Sequence, residues 1–153
     1  MRVYLVHHGD AVGPGVDPLR PLSQIGREEA ERLAAEAASA GARPAVVWHS
    51  GKLRAKQTAE IFWRACNALA EFSATRDLQP EDNPEWMADR LRCEPPDIML
   101  AGHFPHMPRL HALLMAKSGS LSEAFPLHGV VALETTDEGT TWTEVWRLES
   151  RLG

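Results

Sequence analysis

The chain has 153 residues, 44% of them hydrophobic and 24% charged, with a formal charge of -5. That length supports one domain with a real core, expected over 1–153, and the acidic balance argues against a general nucleic-acid or membrane-surface binder. Cys66 and Cys93 show no metal or redox spacing, and the four apolar residues after Arg2 are too few for a signal-peptide core or a membrane span, so the expected setting is reduced and cytoplasmic.

Val3-Tyr4-Leu5-Val6 is an unbroken apolar run that predicts a strand buried on both faces. It ends in His7-His8-Gly9-Asp10, and in open α/β sheets ligands bind at the carboxyl ends of strands. Ala11 to Pro21 holds two glycines and three prolines and reads as a loop over the sheet. Ser23 is a candidate N-cap for a helix to about Ala40, with Ile25, Ala30, Leu33, Ala34 and Ala37 facing inward. Gly26 lies in its first turns, where only a close backbone approach to a neighbour explains a glycine.

Ala45 to Trp48 is a second buried strand ending in His49-Ser50. A helix from about Gly51 to Ala70 follows, with Ala55, Ala59, Phe62, Cys66 and Leu69 on its inner face. Phe72 to Leu78 reads as a third strand, Pro84 to Arg92 as a short helix, and Asp97 to Ala101 as a fourth strand ending in Gly102-His103. A last helix opens near Pro105 and reaches Lys117. Val130 to Glu134, a turn at Asp137-Glu138-Gly139 and Thr141 to Leu148 form an antiparallel hairpin. The alternation of strands and helices predicts a three-layer α/β/α sandwich with a mostly parallel central sheet.

Three strand ends thus carry histidines, and Arg20 and Arg54 stand just before or within the starts of helices. Imidazoles and guanidiniums converging on one edge suit a phosphoryl group, because guanidinium forks match phosphate oxygens and a neutral histidine is a competent nucleophile.

Four segments carry a resemblance: His7-His8-Gly9-Asp10-Ala11, Arg20-Pro21-Leu22-Ser23-Gln24-Ile25-Gly26, Ser50-Gly51-Lys52-Leu53-Arg54-Ala55-Lys56-Gln57-Thr58-Ala59 and Gly102-His103-Phe104-Pro105. In this order they resemble the motifs of the histidine phosphatase superfamily, and specifically its SixA-type phosphohistidine phosphatase branch. The resemblance implies a phosphoglycerate mutase-like fold and a metal-independent, cofactor-free phosphatase. His8 would be the nucleophile, forming a phosphohistidine intermediate, with Arg20, Arg54 and His103 cradling the phosphoryl oxygens and His7 beside them. The implied substrate is a phosphorylated protein, with phosphohistidine the first candidate, or a small phosphorylated molecule; oligomeric state is left open.

The family has arginine where this chain has His7, which removes a fixed charge beside the nucleophile. The resulting alternative is a catalytically weak or inactive phospholigand-binding module. Glu81 or Asp82 is a candidate general acid, weighed against a solvated turn. A metal enzyme built on His103, His106 and His111 is a third reading, but their spacing is poor for one site. Adjacent His7 and His8 on an extended strand are expected to point to opposite sides.

Overall fold

The apolar run at the start forms β1 (Arg2–His7), with Val3 to Val6 all buried. In the computed structural model, which describes residues 1–93, 96–117 and 124–152, β1 lies inside a six-stranded sheet. The other strands are β2 (Val46–His49), β3 (Glu71–Ala74), β4 (Ile98–Gly102), β5 (Val130–Glu134) and β6 (Thr143–Leu148), in the spatial order β3-β2-β4-β1-β5-β6. The first four run parallel, whereas β5 is antiparallel to β1 and β6 antiparallel to β5.

Because strand side chains alternate, β1 feeds two cores. Val3 and Leu5 pack with Ile98, Leu100 and Val131 beneath α3 (Pro84–Cys93) and α4 (His106–Lys117). Tyr4 and Val6 pack with Val47, Met99 and Ala132 beneath α1 (Gln24–Ser39) and α2 (Leu53–Cys66). The result is the expected three-layer α/β/α sandwich with a mostly parallel central sheet. Each fully buried aliphatic side chain in these clusters contributes about 1.5–3 kcal/mol, so the sheet edge they hold is rigid.

Register decides where the chemistry goes. His7 lies opposite Gly102 in the β1–β4 pair, and His49 lies opposite Ala101 in the β2–β4 pair. The three polar strand ends therefore share one edge. The antiparallel β5 pairs Val130 with Val6, so the residues just before β5 arrive at that edge too.

Several expectations need correction. Ile25 is 57% exposed, because the buried stripe of α1 runs through Gly26, Ala30, Leu33, Ala34 and Ala37 instead. Leu69 is 90% exposed, since α2 stops at Cys66 and the Asn67 side chain accepts the Leu69 N–H in a turn. β3 ends at Ala74, and Leu78 is buried beyond it on the α3/α4 side. β6 starts at Thr143 rather than Thr141, because Asp137 binds the Thr141 N–H and hydroxyl in the turn. Cys66 is a free buried thiol, and the side chain of Cys93 lies outside the described atoms.

Candidate active site

His8 stands just past the end of β1, in the loop that Gly9 and Asp10 continue. That loop is pinned on two sides. The Gly9 N–H donates to Thr58 Oγ1 at 3.0 Å, and the Thr58 hydroxyl donates to the Arg54 carbonyl at 2.8 Å. The Ser23 hydroxyl donates to Asp10 Oδ2 at 2.7 Å while accepting the Gly26 N–H at 2.9 Å as the N-cap of α1. Gly26 is required there: a Cβ at this position would lie 2.0 Å from the Asp10 carbonyl oxygen. Gln57 ties the next segment by accepting the Leu22 N–H at 2.7 Å. The polar residues of the second and third motifs thus brace the loop that carries His8.

Hydrogen bonds assign the imidazole tautomers. His8 Nδ1 is 2.7 Å from the Gly9 carbonyl, which has no proton to give, so Nδ1 carries the hydrogen and Nε2 keeps its lone pair. Burial, followed by Arg54, His128 and Arg20, pushes the His8 pKa down to about 4, against the opposing Gly9 bond. The ring is neutral and nucleophilic at neutral pH. His103 Nε2 is 2.6 Å from Ser50 Oγ, which also accepts the Lys52 N–H at 3.3 Å. The Ser50 hydroxyl can donate to or accept from Nε2, and the buried Nδ1 of His103 has no partner among the described residues. The His8 and His103 ring centroids are 5.1 Å apart.

Arg54 stands in the first turn of α2, with a buried Nε that has no protein acceptor. Its pKa is lowered by burial and by the neighbouring Arg20. Arg20 has left-handed backbone at φ 49, and its Nε donates to the Val12 carbonyl at 3.0 Å. Left-handed backbone on a non-glycine residue costs on the order of 1–3 kcal/mol and is commonly retained at functional sites. Among the described residues neither arginine has a carboxylate partner. Two guanidiniums drawn together without a counterion form a site for an anion.

His7 and His8 do not point apart. Their ring centroids are 4.4 Å apart, because β1 ends at His7 and strand alternation no longer governs His8. His7 is buried between Phe104, at 4.2 Å, and His128, which stacks on it at 4.8 Å and 9°. Its Nδ1 accepts the His128 backbone N–H at 2.7 Å, so Nε2 holds the ring proton. Burial, then His8 and His128, drives the His7 pKa down to about 2. His7 is therefore a neutral hydrogen-bond donor.

Sequence reasoning missed His128. Its Nδ1 is 2.6 Å from the His8 carbonyl, and one ring nitrogen from each of His7, His8 and His128 lies within 4.8 Å of the others. The available signal was the hairpin: an antiparallel partner for β1 had to begin at this edge. The three rings suit a metal poorly, because the His128 amide occupies the Nδ1 lone pair of His7 and leaves its other nitrogen protonated.

The remaining candidates lie apart. His103 precedes α4 and turns to the pocket, whereas His106 is fully buried and His111 pairs with Glu144 at 3.1 Å, so these three do not form one site. His49 accepts the Gly51 N–H at 3.0 Å and shapes the turn. Asp82 accepts the Gln79 N–H at 3.0 Å, and Glu81 is an exposed partner of Arg109 at 3.6 Å.

The family model of the histidine phosphatase superfamily (branch 1) matches residues 3–94, more than half of the chain. The chain belongs to that superfamily. A solved structure of the protein histidine phosphatase SixA complexed with tungstate is 25% identical to this chain, with a TM-score of 0.85 and 97% of each chain covered. A protein assigned as the phosphohistidine phosphatase SixA of Agrobacterium tumefaciens is 26% identical, with a TM-score of 0.78 and 96% of each chain covered. An ecdysone phosphate phosphatase from Bombix mori, also in complex with tungstate, shares the fold at 12% identity, a TM-score of 0.68 and coverage of 95% and 92%. No curated protein matches in sequence. Superfamily membership and these relatives support a phosphatase. Among the described residues no helix is long and apolar enough to cross a membrane.

Proposed function

We propose that this chain is a metal-independent phosphohistidine phosphatase acting through a phosphohistidine intermediate on His8. One observation carries the reading: the free Nε2 lone pair of His8 lies in the field of Arg20 and Arg54, beside a His103 ring whose buried Nδ1 has no partner among the described residues. The tungstate held by two superfamily neighbours supports the same anion chemistry here.

His8 Nε2 attacks phosphorus, the bond to the leaving nitrogen breaks, and the leaving imidazole keeps the electron pair and picks up a proton from solvent. Water then attacks the phosphorus on His8, loses a proton to solvent, and releases inorganic phosphate with the Nε2 lone pair restored. Arg20 and Arg54 offset the oxyanion charge in both transfers, where fixed charge and position matter more than a strong base. A nitrogen leaving group needs less help from an acid than an alkoxide does, which fits a loop whose Asp82 is committed to the Gln79 amide. A protein bearing phosphohistidine is the preferred substrate class, with small phosphorylated molecules next.

A second reading, a phospholigand-binding module with little turnover, rests on the neutrality of His7. Both are tested by turnover of phosphohistidine and of a phenyl phosphate ester, together with radiolabel transfer from phosphohistidine to the protein. Turnover and an acid-labile label that vanish in His8→Ala support the phosphatase. Phosphate binding without turnover or label selects the binding module.

A further inference from the structure

The imidazole side of the pocket can gain positive charge at only some of its nitrogens. Protonating His7 requires giving up the hydrogen bond from the His128 amide to Nδ1. Protonating His8 at Nε2 removes the nucleophile. His128 differs from both. Its Nδ1 must carry a hydrogen, because its partner is the His8 carbonyl, and its Nε2 has no partner among the described residues. A proton added at Nε2 therefore breaks nothing.

Position agrees with chemistry. The His128 ring stacks on His7 and lies with its centroid 5.8 Å from that of His8, and the residue is half-buried. The groups facing this corner are His7 and His8 past β1, Asp10 in the next loop, Glu29 on α1, and Arg54, which acts on both His7 and His8. Both carboxylates are already committed, Asp10 to the Ser23 hydroxyl and Glu29 to Arg32 and the Arg151 N–H. Neither carboxylate has His128 as a hydrogen-bond partner among the described residues.

We propose that His128 is a catalytic residue of the phosphoryl site, its Nε2 taking a proton from solvent as the phosphoryl group binds and donating it in a hydrogen bond to a phosphoryl oxygen. His128 thereby supplies the charge that His7 withholds, and the proton returns to solvent when phosphate leaves. This rests on the phosphatase reading above, and the test separates the two.

The probe is inorganic phosphate, with its affinity measured by calorimetry across a pH series on wild type, Arg54→Ala, His128→Asn and His128→Gly. The backbone at 128 is left-handed at φ 54, a conformation that asparagine and glycine accept, so both replacements suit the fold. Losing one charge-assisted bond should weaken binding about tenfold or more near pH 6. Calorimetry in buffers of different ionisation enthalpy should also show that phosphate binding takes up more protons in wild type than in His128→Asn, since any proton change of phosphate itself is common to both proteins and cancels. Free imidazole should restore binding to His128→Gly.

Equal proton uptake in the two proteins, or equal affinities throughout, overturns the proposal, because a merely structural His128 would take up no proton on binding. Those results, with Arg54→Ala still weakened, leave the phosphoryl site standing without His128. No phosphate binding by wild type overturns both.

Discussion

On one wall of the pocket, Arg20 and Arg54 carry charge that no physiological pH removes. On the other, His7, His8 and His128 carry charge only where their hydrogen bonds leave a nitrogen open. On the proposed reading the two walls meet the same anion, with one charge fixed by covalent chemistry and the other by tautomer. Burial keeps His7 uncharged, and a single backbone amide, that of His128, decides which of its nitrogens holds the proton. Residue type alone therefore misjudges what a histidine contributes, and its second nitrogen has to be followed to its partner.

The comparison breaks most sharply at His8. Replacing it with alanine removes the nucleophile from the imidazole wall, and turnover should fall on the order of a thousandfold or more. Phosphate affinity should stay near wild type, because the guanidinium wall remains; steady-state kinetics and calorimetry on the same preparation check both. A parallel loss of phosphate binding would mean that the two walls are not separable.

Next in size is Arg54→Ala, which should weaken phosphate binding by about 1.5–3 kcal/mol, the worth of a charge-assisted bond. Arg64→Ala is the control, since Arg64 is an exposed partner of Glu60 on the same helix and should change nothing. Equal losses in the two variants would reduce the cradle to a general field.

His7→Arg converts part of the second wall into the first. An ideally aimed charge is worth roughly a hundredfold to a thousandfold in rate. The guanidinium must displace the Phe104 contact and leaves the His128 amide without its acceptor, so the expected gain in kcat is nearer tenfold. The pH profile sharpens the point. His8 must be neutral to attack and its pKa is depressed to about 4, so its base form is present above that pH and activity falls as pH drops through it. His7, held down at about 2, should add no limb in the neutral range, and the acid limb should persist in His7→Arg. Loss of that limb in the variant would reassign it to His7.

Ser50→Ala should have the smallest effect. His103 loses the hydroxyl at 2.6 Å that holds its ring, and a neutral hydrogen bond of this kind is worth about 0.5–1.5 kcal/mol. The expected drop in kcat/KM is correspondingly modest, and serine should be replaceable by threonine with partial recovery.

Much of this arrangement was legible in the chain. The apolar runs ending in His8, Ser50 and His103 located the sheet edge, since buried strands and their polar ends are local patterns. Gly26 was legible as a close approach, and the Asp10 carbonyl is what it approaches. Helix faces were less secure near their ends, as Ile25 and Leu69 show: one residue of rotation or one early cap turns an apolar side chain to water. His128 was not legible, because its role comes from β5 pairing with β1 across more than a hundred residues. The tautomer of His7 was hidden for the same reason, since it is written in the backbone of a distant loop.

The relay from the Gly9 amide through the Thr58 hydroxyl to the Arg54 carbonyl joins the loop behind the nucleophile to the first turn of α2. His8 and Arg54, the proposed nucleophile and oxyanion partner, are thereby seated on one frame before any substrate arrives. Little of the substrate's binding free energy goes into assembling the centre, so even a loosely held macromolecule can be processed during a brief encounter. A frame of this kind responds to the phosphoryl group and is nearly indifferent to its carrier. Discrimination between carriers then falls to side chains outside that frame, which can change without disturbing the chemistry.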